Sequence, residues 1–378
     1  MEKQSFLSRN FFVVSFVNLF IFFGFQMIFP VLPQYIQKMG GGPEVIGLVM
    51  GIFTVSTLIS RPFAGWLLDR VKRKLVLIGG LTVFMAMLFS YALAHTIALV
   101  ILVRLVHGLG WGFSGTSTAT IAASIIPRER FGEGMGWFSL ANSLAMAVAP
   151  AAGIYVGIHY QLQSVFYLSS LLAFVALCLA FFIRCPARRS PPASVRFILY
   201  DKDAVRPAVL MFFLSVTYGS IISFLPLYAA GLGIPNIGIF FSVYALAILI
   251  TRPAAGKLID RLGLDIVVLP GFLCIFVGIA GLACARELWQ FGMVAAVYGI
   301  GFGALQTTIQ TMAVRDTPFH RLGIANATLF SGFDLGMGLG VIALGSIAAL
   351  YGYRNMYWFT LLPVVFAVLF YLVFMRRR

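Results

Sequence analysis

Residues 60–70 read Ser60-Arg61-Pro62-Phe63-Ala64-Gly65-Trp66-Leu67-Leu68-Asp69-Arg70, and they join a long apolar segment to the basic run Lys72-Arg73-Lys74. The same stretch recurs as Thr251-Arg252-Pro253-Ala254-Ala255-Gly256-Lys257-Leu258-Ile259-Asp260-Arg261, with seven identical positions. The offset is 191 residues (252 − 61), about half of the 378-residue chain. A sequence that repeats itself at half its length, in the same order, indicates two homologous halves.

The same offset relates further pairs of residues outside this stretch. The pairs are Gly108 with Gly299, Gly110 with Gly301, Gly112 with Gly303, Pro127 with Pro318, Arg130 with Arg321, and Gly132 with Gly323. The repeat therefore extends well beyond the loop motif.

The composition is that of a membrane protein. Of the residues, 61% are hydrophobic and 10% charged, whereas an average soluble domain has about 25% charged residues. Apolar runs such as Phe11 to Pro30 reach the ~20 residues that a helix needs to cross a bilayer. Breaks rich in charge, glycine or proline divide the chain into twelve predicted spans: 11–37, 44–68, 75–94, 97–125, 131–158, 162–184, 205–230, 236–259, 264–285, 287–314, 321–350 and 354–375.

We therefore predict an all-α membrane protein in which twelve transmembrane helices form two pseudo-symmetric six-helix bundles. The bundles are expected at 1–184 and 205–378. Between them, 185–204 is rich in proline and arginine and is predicted to be a cytoplasmic linker.

The positive charge predicts topology rather than nucleic-acid binding. The net charge is +15, but lysine and arginine concentrate in alternate connections, and the intervening ones keep only Lys38, Arg286 and Arg354. The positive-inside rule then places both termini and the linker in the cytoplasm. The four cysteines lack C-x-x-C spacing, so neither a metal site nor a disulfide framework is indicated.

The repeated motif resembles the loop signature of the major facilitator superfamily, approximately G-x-x-x-D-R-x-G-R-[RK], and the resemblance covers essentially the whole chain. The matching residues of the first copy are Gly65, Asp69, Arg70, Arg73 and Lys74, with Lys72 at the expected glycine. The second copy keeps Gly256, Asp260, Arg261 and Gly263 but has Leu264 and Asp265 at the basic pair.

Two further motifs are similar to those of the drug:proton antiporter branch. In span four, Arg104 precedes a glycine-rich stretch, with His107 where glutamine is common. In span five, Ala149-Pro150-Ala151-Ala152-Gly153 is similar to the antiporter motif but has alanine at two glycine positions.

The resemblance implies a cytoplasmic gate. Asp69 would cap the start of span eleven near Arg321 and Gly323, and Asp260 would cap the start of span five near Arg130 and Gly132. The expected gating residues are Gly65, Asp69, Arg70, Arg73, Gly256, Asp260 and Arg261. The alternative is a set of solvated loop charges, each pair worth ~0–1 kcal/mol.

Asp334 is the only acidic residue well inside a predicted span, which makes it the candidate for the coupling proton. Arg104 and His107 join it as coupling candidates. An intramembrane arginine costs at least ~2.5 kcal/mol unless paired or hydrated, so Arg104 is expected to face a central cavity. The alternatives are that Arg104 binds carbonyls at a helix break and that His107 only packs.

The candidate substrate-binding residues are polar or aromatic side chains inside spans. They are Gln26, Arg104, Trp111, Asn142, Tyr218, Tyr244, Gln306 and Gln310. Few charges and 15% aromatic residues favour an amphipathic or lipophilic solute.

The resulting hypothesis is a monomeric secondary transporter in the cell membrane that exports a small molecule in exchange for protons by alternating access. Its partners would be the substrate, protons and the lipid bilayer. No Walker loop, metal-ligand cluster or hydrolytic carboxylate pair suggests an enzyme or a cofactor. An importer or uniporter of a sugar, organic acid or other metabolite, and a non-transporting receptor or scaffold, stay as alternatives.

The variant Asp334→Asn tests the proton-coupling hypothesis. We expect it to lose proton-driven accumulation but to keep counterflow exchange, because exchange of substrate for substrate moves no net proton. Both activities are measured in vesicles at matched protein level. Full active transport by Asp334→Asn would remove this residue from the mechanism.

Overall fold

The computed structural model describes residues 7–41, 43–185, 198–234 and 237–375. These residues form helices and no strand. The helices are α1 Arg9–Ile28, α2 Leu32–Lys38, α3 Pro43–Leu68, α4 Arg73–Leu93, α5 Ile97–Ile125, α6 Phe131–His159, α7 Leu162–Ala180, α8 Lys202–Gly231, α9 Gly238–Leu262, α10 Asp265–Cys284, α11 Leu288–Val314, α12 Leu322–Phe359 and α13 Leu361–Phe374. Single 3₁₀ turns at Arg128–Arg130 and Phe319–Arg321 precede α6 and α12.

The helices match the predicted spans closely. Within the described residues, 11 helical stretches are long and apolar enough to cross a membrane, and the last, Phe319–Phe374, has 56 residues. Gly352 interrupts that stretch with a φ of 80°, a backbone conformation that favours glycine. The predicted spans 321–350 and 354–375 meet at this break, so the division into two helices is confirmed.

Span one departs from a single helix. It divides into α1 and α2 on either side of residues 29–31. Pro30 has no backbone N–H and its ring clashes with the preceding turn, which explains the interruption.

The chain packs as two compact units. Unit 1 comprises the described residues of Met1–Pro127, Ala141–Asp201 and Thr317–Thr328, and unit 2 those of Arg128–Leu140, Lys202–Asp316 and Leu329–Arg378. The start of α6 therefore packs with residues of the second half of the sequence, and the start of α12 with residues of the first. The bundle boundaries at 184 and 205 stay a prediction, and linker residues 186–197 and both chain ends lie outside the described residues.

Each unit is built around one helix that carries small residues. In unit 1, α5 packs against α3 and α4; in unit 2, α11 packs against α9 and α10. A Cβ on Gly110 of α5 would lie 2.7 Å from the Phe84 nitrogen of α4. One on Gly301 of α11 would lie 2.7 Å from the Gly271 carbonyl oxygen of α10. The glycine-rich repeat thus allows close approach of helix backbones, as packing in lipid requires.

Large apolar side chains remain exposed along most helices, for example Ile158, Ile250 and Ile342. In a soluble protein so much exposed apolar surface would drive association. Facing lipid tails, it costs nothing to expose.

The variants Gly110→Ala and Gly79→Ala test the close packing of α4 and α5. An alanine at 110 overlaps Phe84 and should cost ~1–3 kcal/mol of stability, which lowers the melting temperature in detergent. Gly79 of α4 is exposed and an added Cβ meets nothing within 4 Å. Gly79→Ala should therefore be neutral or slightly stabilising, by up to ~1 kcal/mol. Equal melting temperatures for the two variants would contradict this packing.

Candidate gating and coupling site

Asp69, at the end of α3, caps the start of α12. Its Oδ1 accepts a hydrogen bond from the Gly323 N–H at 2.9 Å and its Oδ2 accepts one from the Ile324 N–H at 2.9 Å. These amides belong to the first turn of α12, where N–H groups have no acceptor within the helix. The carboxylate also lies at the positive end of the helix dipole. The predicted contact between Asp69 and the start of span eleven is confirmed.

Gly65, one helical turn before Asp69, makes this cap sterically accessible. A Cβ on Gly65 would lie 2.9 Å from the Gly323 carbonyl oxygen and 2.7 Å from the Ala327 Cβ. The absence of a side chain at this position lets the backbones of α3 and α12 touch. That contact brings the Asp69 carboxylate within hydrogen-bonding distance of the two amides.

Unit 2 contains the second copy of this arrangement. Asp260, in the last turn of α9, accepts hydrogen bonds from the Gly132 N–H at 3.1 Å and from the Glu133 N–H at 3.0 Å. A Cβ on Gly132 would lie 2.8 Å from the Gly256 carbonyl oxygen. The predicted contact of Asp260 with the start of span five is confirmed. We call the Asp69 and Asp260 caps the twin latches.

The arginines of the loop motif make different contacts in the two copies. Arg73 donates to the Phe319 carbonyl oxygen at 2.5 Å, and its guanidinium lies 4.1 Å from the centre of the Phe319 ring. Arg70 stacks on the Trp66 ring at 4.6 Å. Arg261 of the second copy lies exposed at the end of α9. The first copy therefore holds the turn before α12 with an arginine, whereas the second copy has Leu264 at the Arg73 position.

Arg104 and His107 lie inside unit 1 and share Tyr91. The Arg104 guanidinium lies 4.3 Å from the centre of the Phe53 ring, and its Nη atoms contact the Tyr91 hydroxyl at 3.5 Å and the Met50 sulfur at 3.4 Å. His107 Nδ1 is 3.1 Å from the same hydroxyl.

The Arg104 side chain is only 1% exposed. The expectation that it faces an open cavity is thus not met in this conformation, because the guanidinium is stacked on a ring and shielded from water. The alternative interpretation was that Arg104 binds carbonyl groups at a helix break. The contacts described for Arg104 are instead a ring, a hydroxyl and a sulfur. A role of Arg104 or His107 in coupling or substrate binding stays a prediction.

Three other candidates lie in unit 1. Trp111 stacks on Phe25 with ring centres 4.1 Å apart. Asn142 accepts a hydrogen bond from the Asn18 amide at 2.5 Å, and Asn18 in turn accepts one from the Thr118 hydroxyl at 3.1 Å. Gln26 is partly exposed on α1. The structure brings Asn142 into a polar network and Trp111 into an aromatic cluster.

The remaining candidates lie in unit 2. Tyr218 and Tyr244 stack with ring centres 6.4 Å apart, and both pack on Phe302, at 5.0 and 6.0 Å. Gln310 of α11 is buried, and Asp334 of α12 is partly exposed. The two tyrosines therefore form one aromatic cluster. The binding and coupling roles of these residues stay predictions.

Two buried arginines, Arg61 and Arg252, had no role assigned from the sequence. Arg252 is fully buried and donates to the Ser139 carbonyl oxygen and to the side-chain oxygen of Gln306. Arg61, at the equivalent position of the repeat, donates to the Thr116 hydroxyl at 3.3 Å. A charged residue inside a predicted span, at the same place in both copies, was the signal that could have identified them.

Comparison with known sequences places the whole chain in one family. A sequence model described as Major Facilitator Superfamily matches residues 14–323 and again 208–378. The chain is similar to the multidrug resistance protein MdtG of Escherichia fergusonii, with 27% identity over 375 residues, covering 94% of this chain and 91% of the relative. It is also similar to MdtG of Salmonella typhi, with 27% identity over 373 residues, covering 94% of this chain and 92% of the relative.

Comparison with solved structures supports the fold. The crystal structure of the human organic anion transporter MFSD10 (TETRAN) superposes with a TM-score of 0.80 at 17% sequence identity. The match covers 96% of this chain and 98% of the other. At that identity the likeness shows the fold alone.

The variant Asp69→Asn tests the first latch. An asparagine presents one oxygen where the carboxylate presents two, so one of the two N–H groups at the start of α12 loses its acceptor. We expect substrate turnover in vesicles to fall by about tenfold while the dissociation constant changes by less than about twofold. Asp316→Asn, which changes an exposed loop carboxylate, should leave both values unchanged. A changed dissociation constant with normal turnover would argue against a gate.

Proposed function

The chain belongs to the major facilitator superfamily, and we propose that it is a secondary transporter that exports a small amphipathic molecule in exchange for protons. The twin latches are the observation that carries this proposal. Each joins a helix end from one half of the sequence to a helix start from the other. Moving these helix ends away from the helix starts that they contact requires both caps to break.

The strength of the latches suits a reversible gate. A hydrogen bond to a charged group, such as the Asp carboxylates of these caps, is worth ~1.5–3 kcal/mol net of its exchange with water. The two bonds of each latch would therefore bias its closed arrangement by ~3–6 kcal/mol. An equilibrium of that size can be shifted by differential binding of a ligand. A charge that moves across 100 mV contributes ~2.3 kcal/mol, which is comparable.

The aromatic clusters support an amphipathic substrate. Tyr218, Tyr244 and Phe302 in unit 2, and Phe25 and Trp111 in unit 1, form two buried clusters of packed rings, which would offer apolar surface to a substrate once the helices around them open. Pockets of this composition bind lipophilic molecules, and a small number of polar groups sets the orientation. The relatives named as multidrug resistance proteins support the same class of substrate and the export direction.

Asp334 is the proposed proton carrier, with Arg104 and His107 as its supporting groups. The first span offers Asn18 and Gln26 but no carboxylate, so an acidic group on α12 would supply the site for proton binding. Inward movement of protons in exchange for outward movement of substrate then couples export to the proton gradient.

We further propose that the latches face the cytoplasm and that the protein functions as a monomer in the inner membrane. Arg70, Lys72, Arg73 and Lys74 follow the first latch, and Arg128 and Arg130 precede the helix start of the second. This concentration of positive charge is typical of the cytoplasmic side. The repeat supports a monomer, because one chain supplies both halves of the proposed gate.

A flux assay in inside-out vesicles with an acidic lumen tests the proposed function. The probes are cationic, neutral and anionic amphipathic fluorescent dyes. We expect accumulation of at least one dye class in the lumen, because protons that leave it drive the exchange, and loss of that accumulation with a protonophore or in Asp334→Asn. Proton-driven dye movement out of the lumen would instead favour an importer. Saturable dye binding without any gradient-driven flux would favour a receptor.

A further inference from the structure

The two latches differ in how they neutralise the arginine next to the helix start. In unit 2, Arg130 precedes α6 and pairs with Glu133 of the same segment at 2.7 Å. In unit 1, the repeat places Arg321 at the position of Arg130 and Ile324 at that of Glu133. The first latch therefore lacks the carboxylate that the second latch carries in its own helix.

Asp201 supplies a carboxylate to the first latch from a distant part of the chain. Its Oδ2 lies 2.6 Å from Arg321 Nη2 and 2.8 Å from Arg321 Nε. Asp201 comes directly before α8, at the end of the connection between the halves. Its side chain is 1% exposed, against 34% for that of Arg321. Removing one partner of such a buried ion pair would leave an uncompensated charge in the interior, which is strongly destabilising.

A second contact fixes the backbone of Asp201 to α12. The Asp201 N–H donates to the Thr328 hydroxyl at 2.8 Å. That hydroxyl donates to the Ile324 carbonyl oxygen at 2.8 Å, so its orientation is set. Asp201 therefore contacts the turn before α12 at Arg321 and α12 itself at Thr328, on both sides of the amides that Asp69 binds.

We propose that Asp201 is a positioning residue of the cytoplasmic gate, which holds the first turn of α12 in place for capture by Asp69. This proposal rests on the proposed gating function of the twin latches. Through this clamp, the end of the linker and the start of α12 are fixed together while the latch is closed.

The electrostatics of the helix start give the clamp its effect. The first turn of α12 is the positive end of the helix dipole, where a cation is unfavourable. Asp201 compensates the charge of Arg321 at that place. Asp69 accepts the N–H groups of Gly323 and Ile324. Without the carboxylate of Asp201, Arg321 would compete with these N–H groups for the Asp69 carboxylate.

Amide hydrogen exchange of the purified full-length protein tests the clamp. We expect Asp201→Asn to accelerate exchange of the amides of residues 322–326 by at least about tenfold, as for loss of a charge-assisted hydrogen bond. Exchange at residues 131–135, the matching start of α6, should stay unchanged. Glu133→Gln should accelerate exchange at residues 131–135 and leave exchange at residues 322–326 unchanged. Asp203→Asn, which changes an exposed carboxylate two residues after Asp201, should change exchange in neither region.

Unchanged exchange at 322–326 in Asp201→Asn, or an equal rise at 131–135, would overturn the proposal. If Asp201→Asn does not fold, Thr328→Val decides by the same two readouts, because it removes the acceptor of the Asp201 N–H, together with the hydroxyl donor to the Ile324 carbonyl oxygen, and leaves the carboxylate of Asp201 in place. The measurement requires neither substrate nor gradient. A failed clamp is therefore distinguishable from a failed transport hypothesis, which the flux assay addresses separately.

Discussion

A carboxylate that accepts two N–H groups at the start of a helix is the interaction on which the described architecture depends. It satisfies amides that have no partner within their own helix, and it does so at the positive end of the dipole. The geometry is possible only where two backbones touch. Gly65 and Gly323 around Asp69, like Gly256 and Gly132 around Asp260, follow from that requirement. The glycines and the aspartate of the motif thus form one physical unit, repeated twice.

The two latches keep the same backbone contacts while their side-chain charges differ. Glu133 neutralises Arg130 locally, whereas Asp201 neutralises Arg321 from the end of the linker. Arg73 holds the Phe319 carbonyl oxygen in the first copy, and the second copy has Leu264 instead. The N–H groups that the carboxylates bind belong to the main chain and are present whatever side chains surround them, so the neighbouring charged residues can differ between the two copies. The first latch is consequently the one connected to the linker.

Three arginines lie deep in the spans, and their described contacts show how such charges are accommodated. Arg104 stacks on Phe53 beside the Tyr91 hydroxyl, and Arg61 donates to the Thr116 hydroxyl. Arg252 binds the Ser139 carbonyl oxygen and Gln306. Aromatic faces, hydroxyls and carbonyl oxygens offer partial negative charge without the desolvation cost of a second ion. The buried position of Arg104 changes its interpretation, because solvent does not reach it in this conformation.

The sequence by itself determined the membrane class, the helical spans, the duplication and the break now seen at Gly352, since apolar length and a fixed offset are properties of the chain alone. With the family resemblance it also predicted the helix starts that Asp69 and Asp260 contact. Only the tertiary structure decided which residues are exchanged between the halves, Arg128–Leu140 into unit 2 and Thr317–Thr328 into unit 1. It alone paired Asp201 with Arg321, 120 residues away, and buried Arg104 against Phe53. Periodicity shows how long a helix is, but the choice among distant partners is made by the packing of helices against one another.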